Sequence, residues 1–290
     1  MINSIGNKFR RSWEITKRTF AVMKHDKEIL LFPILSSIFS VILFFILVFP
    51  IFLAQFFEEA TIFVYAGIFV FYFATAFVTT FFNAGIVYIA KTRFEGGNAT
   101  FMDGIKAGFK HFKQLLGWSL LTATVGLILN ILESQAEQKK GIFGIIGKIL
   151  IRLTGLAWAI VSVFVVPAIV LKGEGPIKAL KSSFAAMRKT WGESLIKHYG
   201  IGLVQTILFF LGVFSLLFPA IFLLWIGSAL GWIFLGIFIL YFVLILVIFS
   251  SANTIFNTAL FIYANEGKVP HFYTKEELEQ AFVETKQKSA

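Results

Sequence analysis

The 290-residue sequence contains no cysteine. This absence excludes disulfide bonds, thiolate metal sites and cysteine nucleophiles. Charge is also scarce, because Asp, Glu, Lys and Arg together make up 14% of the residues, against about 25% in soluble proteins. Hydrophobic residues make up 58%, and 37 residues are Phe. A soluble domain of this size has too little interior to hide so much apolar surface, so the composition predicts an integral membrane protein.

Six apolar runs approach or exceed the length needed to cross a bilayer as helices, which is about 20 residues. Runs such as LYFVLILVIF (240–249) are continuously apolar. They lack the alternation of a β-barrel strand, and each must satisfy its backbone internally as a helix. We therefore predict an all-α, polytopic transmembrane helix bundle. The predicted spans are 29–54, 61–90, 115–132, 153–171, 195–224 and 229–262.

The basic residues predict the orientation of these spans. Of the 26 Lys and Arg residues, 22 lie in segments 1–28, 91–113, 172–197 and 265–290. The positive-inside rule then places both termini in the cytoplasm and the 133–152 loop outside the cell membrane. The four basic residues of that loop conflict mildly with this orientation, and Glu133 and Glu137 partly offset them. Residues 142–152 either lie along the outer interface or lengthen span four.

A twelve-residue frame occurs three times in the predicted cytoplasmic segments. It reads RRSWEITKRTFA (10–21), KAGFKHFKQLLG (106–117) and KSSFAAMRKTWG (181–192). Positions one and eight are basic, position four is aromatic, position eleven is large and apolar, and position twelve is small. Each copy lies just before an odd-numbered span, which indicates an internal repeat.

An acidic residue followed by glycine comes after each even-numbered span, at residues 95–96, 174–175 and 266–267. Glycine suits the left-handed conformation in which many helices end. The predicted unit is a cytoplasmic amphipathic helix, a span, a short external turn, a returning span and a glycine stop. The three units cover about 5–97, 98–175 and 176–267. They form one transmembrane domain, 1–264, and a charged cytoplasmic tail follows at 265–290.

Apolar side chains recur at helical spacing in each leading segment, as at Phe101, Ile105 and Phe109, with Lys and Arg on the opposite face. The pattern predicts an interfacial helix whose cations lie among anionic headgroups, each contributing about 1 kcal/mol. The predicted partner is thus an anionic bilayer and not a nucleic acid. A simpler interpretation is an elbow that anchors each hairpin. The candidate membrane-surface residues are Arg10, Arg11, Lys17, Lys106, Lys113, Lys181 and Arg188.

Ionisable side chains are absent from the centre of every predicted span. Such a group costs at least about 2.5 kcal/mol in a bilayer, so its absence weighs against a proton relay or a carboxylate-held ion. None of the four histidines pairs with another at metal-ligand spacing. The sequence also lacks a GxSxG elbow, a P-loop and a dinucleotide fingerprint. We predict no catalytic residue, no cofactor and no metal.

Neutral polar residues are the remaining signal inside the spans. Asn83, Ser162 and Thr254 each lie twelve residues before the acidic residue that ends their unit, and Asn253 and Asn257 flank the third. In a bundle of three units these side chains are expected to converge at a similar depth. They either line a polar site or narrow pore, or form hydrogen bonds between helices, each worth about 0.6–2 kcal/mol.

Three segments carry a family resemblance: FFNAGIVYIAKTRFEGG (81–97), LLGWSLLTATVGLILNILES (115–134) and GLAWAIVSVFVVPAIVLKGEGPIKALKSSFAAMRKTWGESL (155–195). They resemble a family of prokaryotic polytopic membrane proteins that is catalogued only as a domain of unknown function. The matching residues include Asn83, Asp103, Gly104, Trp118, Gly126, Glu133, Trp158, Pro167, Gly175, Pro176, Trp191 and Gly192. The resemblance implies a six-helix fold and a cell-membrane location. It implies no activity, substrate or catalytic residue.

Three classes of function fit these observations to different degrees. A non-enzymatic scaffold or lipid-interacting accessory component fits best, because the sequence contains no recognisable catalytic or metal-binding motif. A permease or channel for a small neutral or lipid solute fits the repeats and the neutral polar residues. A membrane enzyme acting on lipids fits least, and its candidate cytoplasmic groups are Asp103, His111, Glu174, Glu193 and His198.

Overall fold

The computed structural model describes residues 2–50, 61–138, 141–191 and 201–282, and every regular element in them is helical. The helices are α1 (Ile2–His25), α2 (Leu31–Leu43), α3 (Thr61–Phe94), α4 (Phe101–Lys110), α5 (Phe112–Gln138), α6 (Ile142–Ser162), α7 (Val165–Lys172), α8 (Pro176–Trp191), α9 (Ile201–Gly212), α10 (Phe218–Trp225), α11 (Leu230–Glu266) and α12 (Lys275–Phe282). A 3-10 turn, Lys27–Leu30, joins α1 to α2. π turns, Phe44–Val48 and Val213–Leu217, follow α2 and join α9 to α10.

Six helical segments of the described residues are long and apolar enough to cross a membrane. They are Lys27–Val48, Ala66–Phe94, Phe112–Gln138, Gly144–Lys172, Ile201–Trp225 and Leu230–Glu266. Their mean hydropathy lies between 1.6 and 3.0. The predicted fold class, an all-α bundle of six spans, is therefore confirmed, and the chain is a multi-pass membrane protein.

Two of the spanning helices are much longer than a bilayer is thick. α3 has 34 residues and α11 has 37, which at 1.5 Å per residue gives about 51 and 55 Å. The hydrocarbon core is only about 30 Å thick. All but one of the buried residues of α11 lie in 245–264, and the buried side chains of α3 lie in 80–94. These C-terminal halves thus pack against protein, while the N-terminal half of α11 exposes Trp232, Ile237 and Leu240.

The core is built by three returning helices, α3, α7 and α11, which contact one another. The leading helices pack on them: α4 packs on α3, α8 on α7 and α11, and α1 on α11 and also on α9. We call the region where these six helices meet the core end; there α3, α7 and α11 end at Phe94, Lys172 and Glu266. Lys172 donates a hydrogen bond to the side-chain oxygen of Asn265 at 2.6 Å, which links the ends of α7 and α11.

Two glycines allow α2, α3 and α4 to meet around the ring of Phe32. A Cβ atom added to Gly85 or Gly104 would lie 2.2 or 2.5 Å from that ring, well inside van der Waals contact. Phe32 is completely buried and also contacts Phe101, with ring centroids 4.8 Å apart. A larger side chain at Gly85 would therefore push α2 away from α3, and one at Gly104 would push α4 away from both.

The break between α6 and α7 is held by a hydroxyl from α8. Ser183 Oγ donates to the carbonyl of Val161 at 2.5 Å and accepts the N–H of Phe164 at 3.1 Å. Both Ser183 and Phe164 are fully buried. A helix interruption inside a bundle needs such a partner, because its freed backbone groups have no water to bind.

Glycine ends two of the returning helices as predicted, and the third prediction is wrong by two residues. Gly96 and Gly267 have φ of +80° and +69°. In the second unit the left-handed residue is Gly173, with φ of +67°, and not Gly175. The carbonyl of Gly175 already accepts the N–H of Ala179, so this residue belongs to the start of α8.

The predicted external loop at 133–152 is mostly helix. α5 continues to Gln138 and α6 begins at Ile142, so residues 142–152 lengthen span four. The carboxylate of Glu133 lies 3.2 Å from Arg152, and that of Glu137 lies 3.4 Å from Lys148. These pairs neutralise two of the four basic residues directly. Lys139 and Lys140 lie outside the described residues.

The predicted C-terminal tail packs against the helices where the structure describes it. α11 runs to Glu266, and Leu278 on α12 is completely buried. The hydroxyls of Tyr273 and Thr19 are hydrogen-bonded at 2.8 Å, and Glu277 pairs with Arg18 at 3.2 Å. Burial raises the pKa of Tyr273, so its hydroxyl stays protonated. The tail prediction for 283–290 concerns residues outside the described part of the chain.

Candidate functional site

The neutral polar residues lie on three helices, two of them core helices, and are half-buried. Asn83 belongs to α3, Ser162 is the last residue of α6, and Asn253, Thr254 and Asn257 belong to α11. The structure joins two of them across helices, because Thr254 Oγ1 lies 3.4 Å from Asn83 Oδ1 and donates toward it. The hydroxyl of Ser162 instead donates to the carbonyl of Trp158, in its own helix, at 2.7 Å.

The position of Ser162 has a simple geometric explanation. Measured from the left-handed glycines, Asn83 and Thr254 each lie thirteen residues before Gly96 and Gly267, whereas Ser162 lies eleven residues before Gly173. The residue that corresponds in the second unit is then Ile160, which cannot hydrogen-bond through its side chain. Counting from the acidic residues therefore aligns the second unit with the other two in a different way from counting from the helix ends.

Further small hydroxyl residues continue this polar contact along α3 and α11. Three of them are buried: Thr80 on α3, and Ser251 and Thr258 on α11. Thr80 lies three residues before Asn83, and Ser251 and Thr258 lie three residues before and four residues after Thr254. The hydroxyl of Thr258 donates to the carbonyl of Thr254 at 2.7 Å. Ser251 Oγ has no hydrogen-bond partner among the described residues. We call the following five residues the polar seam: Thr80, Asn83, Ser251, Thr254 and Thr258.

The predicted membrane-surface cations are exposed wherever their side chains are described. These exposed residues are Arg10, Lys17, Lys106, Lys113, Lys181 and Arg188. Arg10 lies 3.7 Å from Glu14, Lys106 lies 3.8 Å from Asp103, and Lys17 stands 5.4 Å from the ring centroid of Trp13. The side chain of Arg11 lies outside the described part. Exposed pairs of this kind contribute little to stability, so the cations stay available to an external partner.

The three copies of the twelve-residue frame share a pattern of burial. The aromatic residue at position four is exposed in every copy, by 41% at Trp13, 63% at Phe109 and 53% at Phe184. Its neighbour at position three is buried in every copy: Ser12, Gly108 and Ser183. Position six is also buried in every copy: Ile15, His111 and Ala186.

The predicted apolar stripe is therefore only partly turned outward. Met23 and Met187, which belong to this stripe by spacing, are buried against protein. Small residues such as Gly104, Ala107 and Ala179 form most of the buried face of α4 and α8. Small side chains let a leading helix lie close to its returning helix. This close packing buries part of the apolar stripe that the sequence predicts to face lipid.

An ion pair that the sequence does not reveal ties the α1–α2 elbow to the end of α3. Arg93 Nε and Nη2 each lie 2.5 Å from a carboxylate oxygen of Asp26, and Nη2 also donates to Asn98 Oδ1 at 2.6 Å. The N–H of Phe101 donates to the carboxylate of Glu28 at 2.5 Å. Asp26 and Arg93 are 67 residues apart, and no local spacing connects them.

A cleft lies beside these contacts, at the junction of α1 and α2. We call it the elbow cleft. It encloses about 360 Å³ and is open on one side. Its lining includes Lys24, His25, Lys27, Glu28, Asn98 and Thr100. Lys24 and Lys27 are exposed and make no ion pair with any described carboxylate.

The acidic and histidine residues proposed for catalysis do not form a cluster in the described structure. Asp103 caps α4, where hydrogen bonds from the backbone and side chain of Thr100 lower its pKa. His111 lies at the other end of α4, and burial beside Lys110 lowers its pKa. Among the described residues, no group of three His, Asp or Glu side chains is suited to hold a metal ion. Glu193 and His198 lie outside the described residues.

Comparison with known families identifies a family for this chain. The model of a family of unknown function, DUF6159, matches residues 60–271, which is well over half of the chain. It covers the second to sixth spans and all three returning helices. A search of curated proteins gives no significant match.

Proposed function

We propose that this chain, which belongs to the DUF6159 family of unknown function, is a non-enzymatic, lipid-interacting component of the cell membrane. In this proposal the core end faces the cytoplasm, where both termini lie, and α1, α4 and α8 rest on the inner leaflet. The basic residues of the leading helices then follow the positive-inside rule. The protein acts by organising anionic lipid or by serving as a scaffold for other membrane proteins.

One observation carries the proposal: the exposed aromatic residue at position four of all three frames. A Trp or Phe side chain exposed beside Lys and Arg is typical of a helix at the boundary between acyl chains and headgroups. Arg188 lies four residues after Phe184, one helical turn along the same face of α8. Lys113 lies four residues after Phe109, across the α4–α5 bend. The cations gain about 1 kcal/mol each near an anionic surface.

The arrangement of the helices supports three repeated units. Leading helix α4 packs on the returning helix before it, and α8 does the same. α1 has no preceding returning helix, and it packs instead on α9 and on the last returning helix, α11. This contact closes a ring of three, as expected for repeats around an axis along the membrane normal.

Fluorescence quenching by lipid tests the proposal directly. The chain lacks cysteine, so Phe109→Cys and Phe184→Cys can each carry a single bimane label in reconstituted vesicles. Lipids brominated on the acyl chains should quench both labels, and brominated phosphatidylglycerol should quench them more than brominated phosphatidylcholine. A label at Lys268→Cys, beyond the end of α11, serves as the aqueous control. Equal, weak quenching at all three positions would refute the proposed contact with the inner leaflet.

A permease or channel for a small neutral or lipid solute is the second candidate, and the polar seam favours it. Ser251 Oγ is buried and has no partner in the described part of the chain. It lies on the same helix as Thr254, whose contact with Asn83 is long for a hydrogen bond. Replacing Asn83 and Thr254 together by Val removes the polar groups at nearly constant volume. If proteoliposomes lose a flux of solute after this change while the fold persists, the permease function gains support over the scaffold.

A further inference from the structure

We propose that the elbow cleft binds the headgroup of one anionic glycerophospholipid of the inner leaflet. The inference rests on the proposed function, because it assumes that the core end faces the cytoplasm. It adds a defined site to the general attraction of the leading helices for anionic lipid. The cleft lies between the α1–α2 elbow and the segment that joins α3 to α4.

The charges of the cleft favour a single phosphodiester. Its two carboxylates already have partners, since Asp26 binds Arg93 and Glu28 accepts the N–H of Phe101. Lys24 and Lys27 have no described partner, and they lie three residues apart in the chain, before and after Asp26. The cleft is thus lined by two lysines and by one carboxylate without a described cationic partner, that of Glu28, so it keeps an excess of positive charge.

Asn98 adds a neutral donor to these two cations. Its side-chain oxygen accepts from Arg93, so the amide nitrogen is the end left for another partner. The Arg93 contact fixes the orientation of this amide. A phosphodiester, which carries one negative charge and two free oxygens, matches two cations and one neutral donor.

The surface beside the cleft suits the acyl chains of the same lipid. Leu31, Ile34 and Ile38 follow the elbow along one face of α2, with exposed fractions of 43%, 39% and 49%. Met102, two residues after the lining residue Thr100, is 54% exposed. A polar, cationic pocket that continues into an exposed apolar strip has the amphipathic outline of a lipid, and a free phosphate would leave the strip unused.

Native mass spectrometry of the full chain in detergent tests the site, with phosphatidylglycerol as the probe. The double variant Lys24→Gln/Lys27→Gln should bind the first phosphatidylglycerol about 30-fold more weakly, from about 1 kcal/mol for each lost cation. Lys268→Gln/Lys275→Gln removes the same charge beyond the end of α11, away from the leading helices, and serves as the matched control, which should keep this lipid. Lys24→Arg/Lys27→Arg should also keep it.

The outcomes separate this inference from the function on which it rests. If the cleft variant and the control hold the lipid equally well, the elbow cleft is not the site, although the lipid-interacting function stands. If the unmodified chain retains phosphatidylglycerol no better than phosphatidylcholine, the proposed function fails as well. If inorganic phosphate alone displaces the lipid, the cleft is a site for free anions and the lipid assignment is overturned.

Discussion

At the scale of single residues, the elbow shows how much one distant pair can fix. Asp26 is 7% exposed, and Arg93 donates two hydrogen bonds to its carboxylate. A buried carboxylate without a partner is costly. The pair thus positions α1 and α2 against the end of α3, and with them the elbow cleft.

Removing the arginine should destabilise the protein strongly. Arg93→Met leaves Asp26 buried and unpaired, so we expect the free energy of unfolding to fall by about 3–5 kcal/mol. Denaturant unfolding in detergent, followed by circular dichroism, measures this change. The double variant Asp26→Asn/Arg93→Met should recover part of the loss, because it removes the unpaired charge. A loss below about 1 kcal/mol in the single variant would show that the pair is not important for folding.

His111 should make the stability depend on pH. Its burial at the α4–α5 bend lowers its pKa in the folded protein, and its Nδ1 has no described partner. The unfolded chain therefore takes up a proton first as the pH falls below about 6.5, which favours unfolding. We expect thermal stability to be full above that pH and to fall below it. His111→Gln should flatten the pH profile, and an unchanged slope would contradict this assignment.

At the scale of elements, small residues decide how the leading helices lie. The sequence predicts the existence of these helices well, because the apolar spacing and the basic residues are local. It does not predict which face turns inward, since that depends on how closely Gly104, Ala179 or Ser183 lets one helix approach another. The break at Val163 and Phe164 has no local signal either, because a residue of α8 stabilises it.

The α6–α7 break should depend on its serine. Ser183→Ala removes a donor to Val161 and an acceptor for Phe164. Leaving two buried backbone groups unpaired should cost about 1–3 kcal/mol in the free energy of unfolding. Ser182→Ala, at a half-buried neighbour, is the control and should cost less than about 0.5 kcal/mol. Equal effects of the two substitutions would argue against this role for Ser183.

The C-terminal segment belongs to the folded structure, although its charge suggests a free tail. Leu278→Ala should destabilise the protein by about 2–5 kcal/mol, because this side chain is completely buried. The exposed Glu276 on the same helix provides the control, Glu276→Ala. Chemical unfolding of both variants measures the difference. A neutral effect of Leu278→Ala would mean that α12 contributes nothing to stability.

At the scale of the whole molecule, composition predicts the six spans but not the contacts that form the core. Apolar runs of sufficient length predict the spans because the bilayer requires them. The contacts among α3, α7 and α11, and the placement of α1 on α11, join residues far apart in the chain. Ser162 is a further example. The sequence predicts its equivalence to Asn83 by counting from Glu174, whereas the left-handed residue that ends the helix is Gly173.

The orientation of the core end is the central claim, and cysteine accessibility tests it most directly. Lys181→Cys lies on the exposed face of α8, and Ala229→Cys lies at the turn between α10 and α11. In intact cells a membrane-impermeant maleimide should label Ala229→Cys and should reach Lys181→Cys only after the cells are opened. Labelling of Lys181→Cys from outside, with Ala229→Cys protected, would contradict the account.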